Sequence, residues 1–359
     1  MSQQSKVIIL KPPHPEPIHN GSSKPHRIAI IGVGDVGAAV ANALILRSVA
    51  DELLINDTDS MLREAQICDL SDVSYVCGSR TRVQAATHRE AGQADIVVIT
   101  IGSRHFRGET NMQHTFRKLS TIRSVIGSMK PFGKETILVV VANPVDIFTS
   151  FVYKLSGLPA TRVMGSGTWL DSIRMSNVLA EKTKVSKSHA TEPNSISLPI
   201  LGVSGKSQLV AWSTTSVGNM PASTDGLEAR TQPSPSPSPS SSPSSTPPPV
   251  TPNPTDREAT DKECNYRKDR MLHGKGKIPL GIGSLAARIC ESILSDQGQV
   301  CLISQYQPKW DCCFSSPAAL GRTGIVKTVE ISLLPAEWQD LEETAKELKE
   351  KLDLIHEGQ

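Results

Sequence analysis

Six residues, Gly32-Val33-Gly34-Asp35-Val36-Gly37, constrain this chain more than any other segment. They close the apolar run 27–32 (RIAIIG) and open a helical pattern over 35–48 that carries the small residues Ala38, Ala39 and Ala41. A strand, a glycine bend and a helix in that order build a cradle for a diphosphate. Gly32 permits the tight turn, Gly34 lets the ligand approach the backbone, and Gly37 allows close packing of helix on strand. The helix N-terminus adds N–H groups and the positive end of a dipole. The next apolar run, 52–57 (ELLIND), ends in Asp57, twenty residues after Gly37. A carboxylate there accepts hydrogen bonds from ribose hydroxyls and repels a 2′-phosphate, which favours NAD over NADP. The alternative is a Gly-rich turn in an α/β fold that binds nothing.

Two further runs, 95–100 (DIVVIT) and 136–143 (TILVVVAN), share the look of the first two. All four are rich in Ile and Val and do not alternate with polar residues, as expected of strands buried on both faces of a parallel sheet. A helical stripe separates the last two, with Met112, Phe116, Leu119, Ile122, Val125, Ile126 and Met129 on one face. Strands alternating with helices imply right-handed βαβ units. The expected fold class is α/β, with a doubly wound parallel Rossmann sheet over 26–170 followed by a mixed α+β region over 171–359. In and before that region, 145–155, 169–182 and 284–294 read as helices, and 196–201 and 209–214 as strands. The cluster from Gly274 to Gly283 has no strand before it and reads as a turn leading into a helix. Trp338, Leu341, Ala345, Leu348, Leu352 and Ile355 recur three and four apart, which predicts a helix packed on its own domain and stopped by Gly358.

Composition narrows the function classes. Lys and Arg number 38 against 36 Asp and Glu, so charge does not drive binding to nucleic acid or a membrane surface. Seven cysteines without regular spacing suggest reduced thiols and a cytoplasmic protein. No apolar run is long enough to span a bilayer. Residues 1–25, with Pro12, Pro13, Pro15 and Pro17 after a short apolar run, read as a disordered arm rather than a signal peptide. Residues 231–256 are almost entirely Ser, Pro and Thr and read as a disordered insertion rich in polyproline II. Loop entropy tolerates it, at about 0.6 kcal/mol per doubling of length. It is either an inert insertion or a ligand for a proline-recognising partner.

Later motifs carry a resemblance. Asn143-Pro144-Val145-Asp146, the segment from Arg162 to Arg174 (RVMGSGTWLDSIR), and residues 313–324 (CFSSPAALGRTG) are similar to motifs of the lactate and malate dehydrogenases. The resemblance is closest to the L-lactate type and runs from about Arg27 to the C-terminus. It implies hydride transfer between NAD(H) and a 2-hydroxy or 2-oxo acid, in a homo-oligomer. By this resemblance Arg174 clamps the substrate carboxylate, Asp171 orients a catalytic His, and Asn143 contacts nicotinamide ribose and substrate. Arg104 contacts cofactor phosphates, Thr100 and Gly102 join Gly32 through Gly37 and Asp57 in the cofactor site, and His105 stands where the family distinguishes lactate from malate.

Two positions depart from the pattern. Ser204, in Leu201-Gly202-Val203-Ser204-Gly205-Lys206, falls where the family has its His, and Lys206 replaces an acid. Asn111 follows Gly108-Glu109-Thr110 where a mobile-loop Arg is usual. Serine cannot hold a proton near neutral pH as imidazole can, and Asn carries no charge. Ile278 takes the place of a substrate-facing Thr, beside Lys277. Arg107 and Arg117 flank the loop position and are candidates to substitute for the missing guanidinium. The chain is therefore expected to be either a dehydrogenase with impaired activity or an NAD-binding relative serving as sensor, oligomer partner or interaction protein.

Overall fold

A computed structural model describes residues 24–102, 106–182, 196–205, 207–217, 220–221 and 254–357. Arg104, His105 and Lys206, most of the 1–25 arm and most of the 231–256 insertion lie outside the described residues.

The first half winds six parallel strands around the cradle. In chain order they are β1 (Arg27–Ile31), α1 (Asp35–Leu46), β2 (Glu52–Asn56), α2 (Ser60–Val76), β3 (Arg82–Ala85), α3 (His88–Ala91), β4 (Ile96–Ile99), α4 (Asn111–Met129), β5 (Ile137–Val140), α5 (Val145–Ser156) and β6 (Val163–Gly165). The sheet runs β3-β2-β1-β4-β5-β6, all parallel. Every residue of β4 and β5 is buried, which is why these runs show no polar alternation. β3, absent from the sequence reading, is an edge strand whose residues are partly or fully exposed. The reversal of strand order between β1 and β4 places the glycine bend at the topological switch point, where open α/β sheets bind ligands.

The second half extends the same sheet. After α6 (Trp169–Lys182) come β7 (Ile196–Ser197), β8 (Ile200–Gly202), β9 (Gln208–Val210), β10 (Ser216–Val217), β11 (Met220–Pro221), α7 (Pro254–Lys275), α8 (Pro279–Leu294), β12 (Gln299–Gln307), β13 (Cys312–Gly321), β14 (Gly324–Thr328) and α9 (Pro335–Glu357). β12 joins β6 antiparallel, and β13, β8 and β9 continue outward. β7, β10 and β11 form a separate small sheet.

Several expectations need correcting. The strand expected over 196–201 is split around Leu198-Pro199, into β7 and β8 of different sheets; proline has no N–H to give a ladder. The run 209–214 ends as a strand at Val210, and Trp212–Thr214 is a 3-10 turn. The helix expected from Ser284 begins at Pro279, with Gly281 and Gly283 inside it. Proline suits a first helical turn because its missing N–H would be unpaired there anyway. Residues 254–256, placed in the insertion, begin α7. On α4, Met112 is exposed, and the buried stripe starts instead with His114.

The C-terminal stripe docks as expected. Leu341, Ala345, Leu348, Leu352 and Ile355 are buried against the core while Trp338 stays partly exposed. Each large aliphatic there contributes roughly 1.5–3 kcal/mol of burial, enough to hold α9 across the end of α5 and β13.

Candidate active site

The glycine bend is shaped as its residue types require. Gly32 has φ +89, and its N–H donates to the Asn56 carbonyl at 2.8 Å. A Cβ on Gly37 would lie 2.0 Å from the Gly32 carbonyl oxygen and 2.9 Å from Thr100 Oγ1. Thr100 ties that bend to β1, donating its hydroxyl to the carbonyls of Ile31 and Gly32. A Cβ on Gly34 would meet nothing within 4 Å. Gly34 is also the N-cap of α1 and makes no side-chain cap bond. Open space above an uncapped helix start is what a diphosphate needs, so these residues fit the pyrophosphate of a dinucleotide.

Asp57 closes the cradle at the end of β2. Its carboxylate accepts from the Val33 N–H at 2.8 Å and the Asp59 N–H at 3.0 Å. One oxygen thus pins the glycine loop while the side chain remains half-buried beside it. Val33 is buried, Val36 half-buried, and Asp35 and Gly102 exposed. The Lys277 ammonium reaches Asp35 from the segment joining α7 to α8.

On α6, Asp171 and Arg174 lie one turn apart. The Arg174 Nη1 donates to Asp171 Oδ1 at 3.0 Å, and both side chains are about four-fifths buried, at 19% and 18% exposure. Lys268 of α7 comes within 3.9 Å of the same carboxylate oxygen. The pair is thus the intrahelical ion pair that its spacing allows, with Lys268 of α7 and Gly281 of α8 as neighbours.

Ser204 follows β8, and its bond runs elsewhere. Its backbone N–H donates to Asp146 Oδ2 at 2.6 Å, and its hydroxyl is buried without a hydrogen-bond partner among the described residues. Asp146, buried at 3% exposure, also accepts the Ser304 hydroxyl at 2.6 Å. Burial pushes this carboxyl up to about 6, against the opposing hydrogen bonds from Ser304 and Ser204. A cavity of about 230 Å³ adjoins it, lined by Pro144, Asp146, Val203, Ser204, Glu347 and Lys351 among others. Ser204 and Asp171 are not hydrogen-bonded to each other. Asp146 was legible as part of the Asn-Pro-Val-Asp motif, but nothing in the sequence marked it as the residue that holds Ser204.

Asn143 is exposed at a cis Asn143–Pro144 peptide, and its carbonyl accepts from Lys118 Nζ at 3.1 Å. Burial lowers the Lys118 ammonium from its ordinary value, with Arg117 nearby adding to the effect. Lys118 was missed from sequence because a Lys within a helical stripe reads as solvated surface.

Asn111 is the first residue of α4, exposed, behind a capping box formed by Thr110 and Gln113. Arg117 does not take over from it. The Arg117 guanidinium donates to both oxygens of Glu109, at 2.8 and 2.9 Å, and lies 4.1 Å from the Phe106 ring centroid. Glu109 is almost buried and also accepts from the Phe106 N–H and meets His114 Nδ1 at 3.0 Å. Arg117 holds that carboxyl far below the usual range, so the pair stays ionised and committed. Arg107 is exposed on the loop.

Among the described residues there is no His, Cys, Asp and Glu grouping that could hold a metal ion, and no helix is long and apolar enough to cross a membrane. All seven cysteines are free.

Comparisons with known proteins agree with this architecture. Residues 26–165 match the lactate/malate dehydrogenase NAD binding domain, and residues 269–358 match the lactate/malate dehydrogenase alpha/beta C-terminal domain. The chain is 33% identical over 323 residues to L-lactate dehydrogenase A of Rhizopus oryzae, covering 90% of this chain and 91% of that protein. It is 31% identical over 335 residues to L-lactate dehydrogenase of Gloeobacter violaceus, covering 91% and 92%. Among solved structures, minor L-lactate dehydrogenase from Enterococcus mundtii in a ligands-bound form superposes with a TM-score of 0.78 at 27% identity, over 92% of this chain and 98% of that one.

Proposed function

The chain belongs to the lactate/malate dehydrogenase family, and from that premise we propose that it moves hydride between NAD(H) and a 2-hydroxy or 2-oxo acid of the lactate/pyruvate type, with turnover well below that of a complete site. NAD is the cofactor, and when bound it supplies the hydride acceptor or donor. Gly32, Val33, Gly34, Asp35, Val36 and Gly37 receive its diphosphate, Asp57 its adenosine ribose, and Thr100, Gly102 and Asn143 flank the remainder; by the family resemblance, Arg104 contacts the phosphates. Arg174 grips the substrate carboxylate with its planar fork. By the family resemblance, His105 occupies the sequence position that distinguishes lactate from malate.

The observation that carries the reduced-turnover reading is where the Asp171 carboxylate is spent. In place of an imidazole it engages Arg174 and approaches Lys268, while Ser204 binds Asp146. A positioned acid–base group contributes about 10²–10⁴ in rate. Loss of one charge-assisted contact to the developing oxyanion costs roughly 2.7–4 kcal/mol. Ser204 and Asn111 supply neither function. This supports slow turnover, with nucleotide binding intact, over loss of the whole activity, because the cradle and Arg174 are in place.

The same reading assigns cofactor binding to 26–170 and substrate binding to 171–359, and takes the protein to be a cytoplasmic homo-oligomer. The free cysteines are consistent with a reducing compartment. The test is steady-state NADH oxidation with pyruvate, oxaloacetate and longer 2-oxo acids. Slow but enzyme-dependent turnover, best with a short monocarboxylic 2-oxo acid, is expected. Family-level rates would remove the impairment, and no turnover on any of them would leave a binding protein only.

A further inference from the structure

The connection between α7 and α8 sits against the nucleotide cradle because α1 and α8 pack side by side and parallel. Lys277 meets Asp35, Gly283 meets Ala39, and Glu291 meets Arg47 in the same order along both helices. Gly283 makes this possible, since a Cβ there would lie 2.6 Å from the Ala39 carbonyl carbon. The two helix N-termini therefore open at one end of the pair. Neither has a side-chain cap bond, and α8 begins with Pro279.

Asp35 stands in the first turn of α1, exposed, just after the N-cap Gly34. A carboxylate there is stabilised by the same dipole that attracts a diphosphate. It would also repel a diphosphate held on the adjacent N–H groups. The Lys277 ammonium neutralises it from across the interface. The pair is more than half exposed, at 59% and 53%, so the ammonium can leave its partner without a large change in burial.

We propose that Lys277 is a cofactor-binding residue: it masks Asp35 in the free protein and turns its ammonium to the diphosphate when NAD(H) is bound. This deepens the assignment of the cradle and rests on NAD occupying it. It places a cation from the C-terminal half on the phosphates held by the N-terminal half. It also explains how an acid is tolerated at Asp35. At separations of about 5 Å, with a pair as exposed as this one screened by a dielectric between that of a protein surface and that of bulk water, one such charge is worth about tenfold in affinity.

The test is calorimetric titration of the full-length protein with NADH, with ADP-ribose as a diphosphate probe and with adenosine as a phosphate-free probe. Lys277→Gln should weaken NADH and ADP-ribose about tenfold and leave adenosine unchanged, while Lys277→Arg should bind like the unmodified protein. Asp35→Asn should tighten both phosphate-bearing probes and recover most of the loss when combined with Lys277→Gln. The proposal is overturned if Lys277→Gln binds ADP-ribose within about twofold of the unmodified protein. It is overturned equally if adenosine weakens in parallel, which would mark a structural role, or if Asp35→Asn weakens binding. An unmodified protein that bound neither NADH nor ADP-ribose would remove the cofactor assignment itself.

Discussion

Gly34→Ala and Gly37→Ala add the same single methyl to neighbouring points of one bend, yet the structure gives them opposite consequences. At Gly37 the new carbon would sit 2.0 Å from the Gly32 carbonyl oxygen. That oxygen is fixed, because it accepts the Thr100 hydroxyl and belongs to a residue bonded to Asn56. The helix must move away from the sheet, and overpacking of this kind costs about 1–3 kcal/mol or more. At Gly34 the carbon meets nothing within 4 Å, and φ −65 suits any residue. Alanine there reduces the freedom of the unfolded chain but is a poorer N-cap than glycine, so the net change in stability is within about 0.5 kcal/mol. The space it fills is the space a diphosphate requires. Urea unfolding followed by tryptophan fluorescence should show Gly37→Ala destabilised by about 3 kcal/mol and Gly34→Ala unchanged. NADH titration should show Gly34→Ala weakened at least about tenfold, a loss of some 1.4 kcal/mol. If Gly34→Ala bound NADH normally, or if both variants lost stability equally, the account of the cradle would be wrong.

Other predictions follow from single contacts. Asp57→Ala frees the Val33 N–H and removes the charge facing a 2′-phosphate, so the preference for NADH over NADPH should fall, read as the ratio of Kd values; an unchanged ratio contradicts the assignment. Arg174→Lys replaces a fork with a point charge and should raise KM for a 2-oxo acid about tenfold or more while NADH affinity holds. Asp146 is held up to about 6 in the fold against an ordinary 3.8. Between those values the folded protein keeps a proton that the unfolded chain has lost. This group's contribution to stability is therefore present at low pH and falls by about 3 kcal/mol as pH rises through 6. Stability of Asp146→Asn relative to the unmodified protein should rise over that window, and parallel pH profiles would refute the shift.

The cradle was legible because its requirements are local. Glycine spacing, a buried run in front and an acid ending the next run are set by backbone sterics and phosphate geometry, and all of these features recur in the structure around Gly32, Gly37 and Asp57. Residues 60–76 were not legible as a helix because α2 buries only Leu70 and Ser74 and leaves Met61, Tyr75 and Val76 exposed, so no apolar stripe marks it. β3 was hidden for the related reason that an edge strand with exposed ends lacks the run of buried residues. The start of α8 was placed too late because Gly281 and Gly283 have the look of turn residues, although both lie inside the helix that Pro279 opens. The ion pair of Lys277 with Asp35 spans 242 residues and the bond of Ser204 to Asp146 spans 58. Contacts of that reach depend on how helices cross, which local spacing does not encode. Arg117 illustrates the converse, since its sequence neighbourhood suggested a substitute for the missing guanidinium and the fold locks it onto Glu109.

The most direct measurement is single-turnover oxidation of bound NADH by pyruvate in the unmodified protein and in the combined variant Ser204→His, Lys206→Asp, Asn111→Arg. A slow step that accelerates by about 10² or more once an imidazole and a guanidinium are restored is the predicted result. A fast step in the unmodified protein, with no gain from the substitutions, would contradict it.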